Sequence, residues 1–261
     1  MSIHNTAVVE DGATLGSDVI IGPFCHVGPD VVLGDNCELK SHVVIAGHTE
    51  IGPGARIFPF ASIGHEPQDL KYAGEKTTLT IGSNCLIREG VTMNPGTGAD
   101  ASNTTIGDNC VFLANSHVAH DCQVGNGVIL SNAVMIAGHC KLGNHIIMGG
   151  GSAVHQFCRI GDNAFVGGLA GVENDIIPFG MALGNRAYLG GLNLIGMKRA
   201  GLERESIHKA RNAFKELFSG EQSLSESTES VARKYDGDPL VQKIVGFIRE
   251  GGDRAFCTPK S

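Results

Sequence analysis

Aliphatic residues recur at every sixth position along most of the chain. One series begins at Ile3 and ends at Ile63, and another begins at Ile106 and ends at Val172, with a short series between them. A period of six fits neither the 3.6-residue period of an α-helix nor the alternation of an ordinary strand. Hexapeptide repeats instead indicate a parallel β-helix, in which each short strand turns one aliphatic side chain inward. We therefore predict a mainly β, hexapeptide-repeat solenoid over residues 1–184.

The repeat also predicts which residues lie side by side. Three hexads form one triangular coil of 18 residues, so residues 18 apart stack in columns about 4.8 Å apart. Two segments break the period, at residues 66–80 and 97–104. We interpret each as a loop insertion that projects from the solenoid, where functional residues of a rigid scaffold tend to lie.

The pattern becomes helical towards the end of the chain. Residues 203–218 carry apolar side chains at helical spacing, and Ser223 with Glu226 forms a capping-box motif that begins a second helix. Asp238 followed by Pro239 is typical of the start of a third helix. We predict a C-terminal α-helical domain over residues 185–261, which would cover the open strand edges at that end of the solenoid.

Composition and charge narrow the possible functions. The chain has 20 Lys and Arg against 27 Asp and Glu, a formal net charge of −7, which argues against a nucleic-acid partner. It contains no run of 18 apolar residues, so we predict no membrane span. The N-terminus has neither the basic start nor the apolar core of a signal peptide, so the expected location is cytoplasmic.

The cysteines are interpreted as packing residues. Seven of the eight occupy the fifth, small position of a hexad, and none belongs to a CxxC pair. Buried thiols in a reducing compartment behave as small hydrophobic side chains. We therefore predict neither disulfides nor a metal site.

A candidate for acid–base chemistry lies in the longer series of hexads. Gly138 follows His120 by one coil and Gln156 follows it by two, so these three residues share a column. His139 follows Asp121 by one coil. A histidine base, a neighbouring carboxylate and a glycine N–H one coil away are the groups that acyl transfer requires.

Several motifs resemble those of the UDP-N-acetylglucosamine 3-O-acyltransferase family, whose members take the first step of lipid A biosynthesis. The matching segments are NSHVAHDC at 115–122, AGH at 137–139, GGGSAVHQF at 149–157, QDLKY at 68–72 and GMKR at 196–199. The resemblance covers essentially the whole chain. It implies that the β-helix is left-handed, that the protein is a homotrimer with sites shared between subunits, and that no cofactor is used.

The resemblance also implies a reaction. A 3-hydroxyacyl group would pass from acyl carrier protein to the 3-hydroxyl of UDP-N-acetylglucosamine. His120 would act as general base, Asp121 would orient its imidazole, and the Gly138 N–H would receive the oxyanion. No Ser or Cys is placed as an acyl-enzyme nucleophile, so we expect direct transfer.

Substrate contacts follow from the same resemblance. The implied residues are Gln68, Asp69 and Lys71 at the sugar and phosphates, His117, His139 and Gln156 beside the base, Asn193 and Arg199 at the uridine diphosphate, and His155 near the acyl path. Gly168 would lie near the end of the acyl tail and set its length. Where family members can carry an acidic nucleotide contact, this chain has Ile195, which weakens the expectation for base recognition.

A basic stretch near the start of the helical region has its own interpretation. Residues 196–216 carry six Lys and Arg against three Glu, in a protein that is acidic as a whole. Acyl carrier proteins are acidic, and complementary charge steers and docks a partner. We therefore predict a carrier-protein docking surface that includes Arg204, Lys209 and Arg211.

Other functions stay open at this stage. The N-acyltransferase of the same pathway carries an extra N-terminal domain, whereas hexads here start at Ile3. The loop at residues 68–72 and the basic helical tail count against an acetyl-CoA-dependent hexapeptide acetyltransferase. A zinc carbonic anhydrase on the same fold would need three protein ligands and a water, and an inert scaffold would not need His120 and Asp121. The acyl length, and whether the acceptor is the 3-hydroxyl or a 3-amino analogue, also stay open.

Overall fold

The main part of the molecule is a triangular prism of short parallel strands. A computed structural model describes residues 1–98 and 102–260. Successive strands lie on successive faces of the prism, so each sheet takes every third strand. In uninterrupted coils the paired residues are 18 apart, as Ile3 with Ile21 and Leu130 with Met148 show. The predicted parallel β-helix is confirmed.

Each face of the prism is one sheet. Face 1 contains β1 (Ser2–Ile3), β4 (Ile20–Ile21), β7 (Glu38–Leu39), β10 (Arg56–Ile57), β13 (Leu86–Ile87), β16 (Val111–Phe112), β19 (Ile129–Leu130), β22 (Ile147–Met148), β25 (Phe165–Val166), β27 (Gly180–Leu183) and β28 (Tyr188–Leu192). Face 2 contains β2 (Val8–Val9), β5 (His26–Val27), β8 (Val44–Ile45), β11 (Ser62–Ile63), β14 (Thr92–Met93), β17 (His117–Val118), β20 (Met135–Ile136), β23 (Ala153–Val154) and β26 (Gly171–Val172). Face 3 contains β3 (Thr14–Leu15), β6 (Val32–Leu33), β9 (His48–Ile51), β12 (Thr78–Ile81), β15 (Asn103–Ile106), β18 (Gln123–Val124), β21 (Lys141–Leu142) and β24 (Arg159–Ile160).

The interior of the prism is mainly apolar, with a few small polar side chains such as Ser116 and Ser152 buried in the coils. The aliphatic key residues of the hexads form one continuous core, which includes Ile21, Ile87 and Ile136. All eight cysteines are free and buried. Burial raises the pKa of the Cys158 thiol to about 12, so this thiol is a poor nucleophile at pH 7. The packing role predicted for the cysteines is confirmed.

Two loops leave the prism at the edge between faces 2 and 3. The first lies between β11 and β12, and the second lies between β14 and β15. They lengthen two coils, so that Ile57 pairs with Ile87 and Ile87 pairs with Phe112. Residues 99–101 of the predicted 97–104 loop lie outside the described residues. The loops contact each other where the Gly98 N–H donates to Glu75 Oε1 at 2.8 Å.

Helices follow the last coils. They are α1 (Leu194–Arg199), α2 (Arg204–Leu217), α3 (Leu224–Lys234) and α4 (Pro239–Glu250). The capping box of Ser223 with Glu226 and the N-cap at Asp238 are confirmed. The antiparallel hairpin of β27 and β28 spans the predicted domain boundary at residues 184 and 185, and the division into two domains stays a prediction. In the described part of the chain, no helix is both long and apolar enough to cross a membrane.

Candidate active site

The edge between faces 2 and 3 carries the residues predicted for acid–base chemistry. After β17 the chain turns through His120 and Asp121, and one coil later it turns through Gly138 and His139. The His139 N–H donates to the His120 carbonyl oxygen at 3.0 Å, and the Phe157 N–H donates to the Gly138 carbonyl oxygen at 3.1 Å. Successive turns therefore stack as the 18-residue spacing requires.

His120 and Asp121 form a hydrogen-bonded pair. Nδ1 of His120 lies 2.9 Å from Oδ2 of Asp121, whose side chain is fully buried. A carboxylate can only accept, so the shared proton lies on Nδ1 and the Nε2 lone pair is left to act as a base. The His120 side chain keeps 12% of its surface exposed, so a substrate can reach it.

Thr97 holds Asp121 from the other side, a contact that the hexapeptide repeat does not predict. Its N–H contacts both carboxylate oxygens at 3.0 and 3.1 Å, and its hydroxyl donates to Oδ2 at 2.6 Å. Thr97 belongs to the second loop, where the 18-residue spacing no longer applies. The one feature of the sequence that could have pointed to Thr97 is the position of the second loop, which directly precedes the coil that carries His120 and Asp121.

Gly138 lies against the ring of His120. A Cβ atom on Gly138 would come within 2.5 Å of Cε1 and 2.7 Å of Nε2 of His120, closer than side chains normally approach. The imidazole can therefore occupy its place only because this residue is glycine. Among the described residues, the Gly138 N–H finds no hydrogen-bond acceptor, which leaves it free to bind a developing oxyanion.

His139 packs beside the pair. Its ring stands edge-on to His120, with centroids 5.0 Å apart, and stacks on Phe157 at 4.5 Å. Ligand atoms of His120, Asp121 and His139 lie within 4.8 Å of one another, a spacing that a metal ion could bridge. The Asp121 carboxylate, however, already accepts hydrogen bonds from Thr97 and His120.

His117 precedes the pair on face 2. Its Nδ1 lies 2.7 Å from the Thr92 hydroxyl. Burial lowers the pKa of His117 below its ordinary value, because the imidazolium would be poorly solvated there, and charge on His120 acts in the same direction. His117 is therefore neutral at pH 7.

A pocket of about 570 Å³ opens over face 2 beside these residues. Its polar lining consists of Gln68, His117, His120, His155, Gln156 and Glu173. Its apolar lining consists of Ala119, Met135, Ile136, Ala137, Ala153, Val154 and Val172. An apolar strip beside an oriented imidazole can accommodate an acyl chain.

The first loop brings Gln68 to this pocket, but not Asp69 or Lys71. Asp69 Oδ1 accepts a hydrogen bond from the Lys71 N–H at 3.0 Å, a local contact that shapes the loop. The Lys71 side chain is exposed. Substrate contacts of Asp69 and Lys71 stay predictions.

The residues predicted for the nucleotide lie in a second pocket, of about 500 Å³, which opens on face 1. Asn193, Ile195 and Arg199 line it, and no residue is shared with the pocket on face 2. Asn193 also caps α1, because its Oδ1 accepts from the Gly196 N–H at 2.9 Å. Within one chain, the nucleotide residues and His120 therefore belong to separate pockets.

Gly168 lies at the edge between faces 1 and 2, in neither pocket. A Cβ atom there would come no closer than 3.4 Å, to the Gly150 carbonyl oxygen, which is an ordinary contact. Its predicted place above Gly150 is confirmed. Its part in setting acyl length stays a prediction.

The basic residues predicted for carrier docking lie on α2. Arg204 and Arg211 are exposed. Lys209 is half-buried, and its Nζ lies 2.9 Å from Glu205 and 3.9 Å from Asp238. Lys209 therefore offers less uncompensated charge than the sequence suggested.

Comparison with known proteins identifies the family. A family model described as UDP N-acetylglucosamine O-acyltransferase, domain 2, matches residues 175–257, and a bacterial transferase hexapeptide model matches residues 12–47 and 103–138. The chain is 55% identical over 257 residues to the acyl-[acyl-carrier-protein]–UDP-N-acetylglucosamine O-acyltransferase of Rhizobium johnstonii, covering 98% of this chain and 94% of that one. The chain belongs to the UDP-N-acetylglucosamine O-acyltransferase family.

Solved structures of the family agree with this assignment. The UDP-N-acetylglucosamine O-acyltransferase of Moraxella catarrhalis matches with a TM-score of 0.95 and 41% identity, covering 98% of this chain and 99% of that one. The UDP-N-acetylglucosamine acyltransferase of Arabidopsis matches with a TM-score of 0.87 and 32% identity, with the same coverage. The resemblance found in the motifs and the predicted fold class, a left-handed parallel β-helix with C-terminal helices, are confirmed. The N-acyltransferase, the acetyl-CoA-dependent acetyltransferase and the carbonic anhydrase are not favoured, because relatives over nearly the full chain are O-acyltransferases.

Proposed function

We propose that this family member transfers a 3-hydroxyacyl group from acyl carrier protein to the 3-hydroxyl of UDP-N-acetylglucosamine, the first step of lipid A biosynthesis. The observation that carries this proposal is the His120–Asp121 pair, set against Gly138 beside a partly apolar pocket. A sugar hydroxyl is a weak nucleophile at pH 7. An oriented imidazole can take up its proton as it attacks.

The transfer proceeds without an acyl-enzyme. As the sugar oxygen O3 bonds to the thioester carbon, its proton passes to Nε2 of His120. The thioester oxygen becomes an oxyanion and accepts a hydrogen bond from the Gly138 N–H. The C–S bond then breaks, and His120 returns its proton to the leaving thiolate. Asp121 stabilises the imidazolium between the two proton transfers.

A neighbouring copy in a homotrimer completes the site in this proposal. The pocket with His120 lies on face 2, whereas the pocket with Arg199 lies on face 1. Met135 on face 2 is 53% exposed, and Leu169 at the edge between the faces is 77% exposed. Large apolar side chains of this kind favour coverage by a second copy. Face 1 of one copy against face 2 of the next would bring nucleotide and base to one substrate.

The remaining predicted residues take their parts within that shared site. They are Gln68, Asp69 and Lys71 at the sugar and phosphates, His117, His139 and Gln156 around the base, His155 along the acyl path, and Asn193 and Arg199 at the uridine diphosphate. Ile195 lines the nucleotide pocket, so an apolar contact replaces an acidic one there. Gly168 leaves room for a long acyl chain, because neither Gly168 nor Gly150 below it carries a side chain.

The carrier protein docks on α2 in this proposal. Arg204 and Arg211 present exposed cations, which suit an acidic partner, and Lys209 adds a partly compensated one. A carrier-bound substrate fits the cytoplasmic location expected from the sequence.

Product analysis tests the proposed function. The purified protein is incubated with UDP-N-acetylglucosamine and 3-hydroxyacyl carrier proteins of graded length, and the product is identified by mass. Parallel reactions contain acetyl-CoA as donor or a 3-amino sugar nucleotide as acceptor. We expect a singly acylated nucleotide sugar from the carrier-bound donors. Acetylation from acetyl-CoA alone, or no acylated product from any carrier substrate, would refute the proposal.

A further inference from the structure

The C-terminal segment passes beside the pocket on face 2 that contains His120. Residues 252–258 run along the last coil, where the Asp175 N–H donates to the Ala255 carbonyl oxygen and the Cys257 N–H donates to the Asp175 carbonyl oxygen, both at 2.8 Å. The Leu189 N–H donates to the Thr258 carbonyl oxygen at 2.9 Å. Cys257 is buried. The backbone that follows Arg254 is therefore held against the last coil and the neighbouring hairpin.

Arg254 contacts two residues of the pocket from this segment. One of its terminal nitrogens lies 2.8 Å from Nδ1 of His155, and its Nε–H donates to the Gln156 carbonyl oxygen at 3.0 Å. Both His155 and Gln156 line the pocket that contains His120. One guanidinium thus bridges a side chain and a backbone carbonyl in the pocket wall.

The contact decides which nitrogen of His155 carries the proton. Nδ1 of His155 is also 3.3 Å from the Gln156 carbonyl oxygen, a geometry in which Nδ1–H could donate. A guanidinium has only donors, so the shorter contact with Arg254 requires an unprotonated Nδ1. The Gln156 carbonyl oxygen in turn accepts a hydrogen bond from Nε–H of Arg254. His155 is therefore a neutral imidazole with its proton on Nε2.

We infer that Arg254 is a positioning residue for the acyl donor: it fixes His155 as an Nε2–H donor and holds the His155–Gln156 turn in the pocket wall. The inference rests on the proposed function, since it assigns the oxygens of a bound acyl thioester as the acceptors that Nε2–H meets. It predicts an effect on the acyl donor and none on the nucleotide sugar, because Arg254 contacts His155 and Gln156, whereas the predicted sugar and nucleotide contacts are Gln68, Asp69, Lys71, Asn193 and Arg199. The C-terminal segment thereby becomes part of the active site.

Kinetics of Arg254 variants test the inference. Arg254→Met keeps the length of the side chain and removes its donors, whereas Arg254→Lys keeps the charge and can serve one acceptor. Arg249→Ala is the matched control, because Arg249 pairs with Glu229 on the helical surface. We expect Arg254→Met to lower kcat/KM for the acyl carrier substrate about tenfold, the order expected for one hydrogen bond to a charged group. We expect partial recovery in Arg254→Lys, an unchanged KM for UDP-N-acetylglucosamine, and wild-type rates for Arg249→Ala.

A double-mutant cycle separates positioning from a merely structural role. If Arg254 acts through His155, Arg254→Met has little further effect in a His155→Ala background. Equal losses in both backgrounds, or a rise in both KM values together, would overturn the inference. The thermal unfolding midpoint of each variant shows whether the C-terminal segment has detached.

Nitrogen NMR of the His155 ring tests the inference without measuring enzyme activity. We expect the Nε2–H tautomer in the wild type and a shift towards Nδ1–H in Arg254→Met. An Nδ1–H tautomer in the wild type, or the same tautomer in both proteins, would overturn the inference. A wild-type protein without acyltransfer would refute the proposed function, whereas a wild-type enzyme with unaffected Arg254 variants would refute only the role of Arg254.

Discussion

At the scale of single residues, the site depends on how Asp121 is held. The carboxylate is fully buried, and it accepts hydrogen bonds from the N–H and the hydroxyl of Thr97 as well as from His120. A hydrogen bond to a charged group contributes about 1.5–3 kcal/mol. The orientation of the imidazole therefore depends in part on a loop residue.

Replacing the Thr97 hydroxyl tests this dependence. We predict that Thr97→Val lowers kcat about tenfold without unfolding the protein, because one donor to Asp121 is lost while the N–H remains. Thr14→Val is the matched control, since it makes the same chemical change on face 3 in β3, five strands along the sheet from β18, the strand that follows Asp121. Steady-state rates decide the outcome. An unchanged kcat in Thr97→Val, or equal losses in both variants, would show that Thr97 does not orient Asp121.

The buried His117 predicts how stability depends on pH. Its pKa is lower in the folded protein than its ordinary value of 6.5. Between those two values the unfolded chain binds more protons, so the free energy of unfolding falls as the pH drops below about 6.5. We predict a smaller loss of stability between about pH 7.5 and pH 5.5 in His117→Gln than in the wild type.

Urea unfolding at the two pH values measures this difference. His208→Gln is the control, because His208 is exposed on α2 and its replacement should leave the pH dependence unchanged. A His117→Gln protein that loses as much stability as the wild type would contradict the prediction.

At the scale of elements, the coil repeat determines which site residues could be placed from the sequence. His120, Gly138 and Gln156 lie in an uninterrupted run of hexads, so their column could be calculated before any coordinates. Thr97 could not be placed, because the second loop has no fixed period. Arg254 could not be placed either, because it follows Gln156 by 98 residues and reaches it only through the path of the C-terminal segment.

The hexapeptide repeat also could not predict that the two pockets are separate. Motif resemblance assigned Asn193 and Arg199 to the uridine diphosphate, and nothing in the spacing assigned them to another face than the base. The end of the prism is built by the hairpin of β27 and β28 and by α1, which follow no hexad rule. Residues on such irregular elements are placed by tertiary packing, which a one-dimensional period cannot describe.

The stacking of coils gives a sharp prediction for two glycines. We predict that Gly138→Ala lowers kcat by roughly 10²-fold. The new Cβ would lie 2.5 Å from Cε1 of His120 and would push the ring out of its position. Gly28→Ala is the control on the same edge of the prism, since its Cβ would meet only ordinary contacts, at 3.5 Å. Rates and unfolding midpoints are measured for both. Equal activity of the two variants would mean that the fit of His120 against Gly138 has no part in catalysis.

At the scale of the whole molecule, the proposed site needs two copies of the chain. The pockets on faces 1 and 2 share no residue, and a UDP-sugar has to reach both for transfer to occur. A closed threefold arrangement repeats the same contact between neighbours. Two variants that are damaged on different faces should therefore regain activity when their chains assemble together.

Mixed trimers test the shared site. We predict that co-expressed His120→Ala and Arg199→Ala chains regain activity at low UDP-N-acetylglucosamine, because about a quarter of randomly mixed interfaces would combine an intact face 2 with an intact face 1. Each variant alone is the control. A mixture no more active than the sum of the separate variants would place the whole site within one chain.

The proposed function depends most on His120 as the general base of an acyl transfer. The most direct test is kcat at saturating substrates for the wild type, His120→Ala and Asp121→Asn, with each protein shown to be folded by its circular dichroism and unfolding midpoint. We expect a loss of about 10²–10⁴-fold for His120→Ala and a smaller loss for Asp121→Asn, which disturbs the orientation of the base without removing it. A folded His120→Ala protein that keeps more than about a tenth of the wild-type kcat would contradict this role of His120.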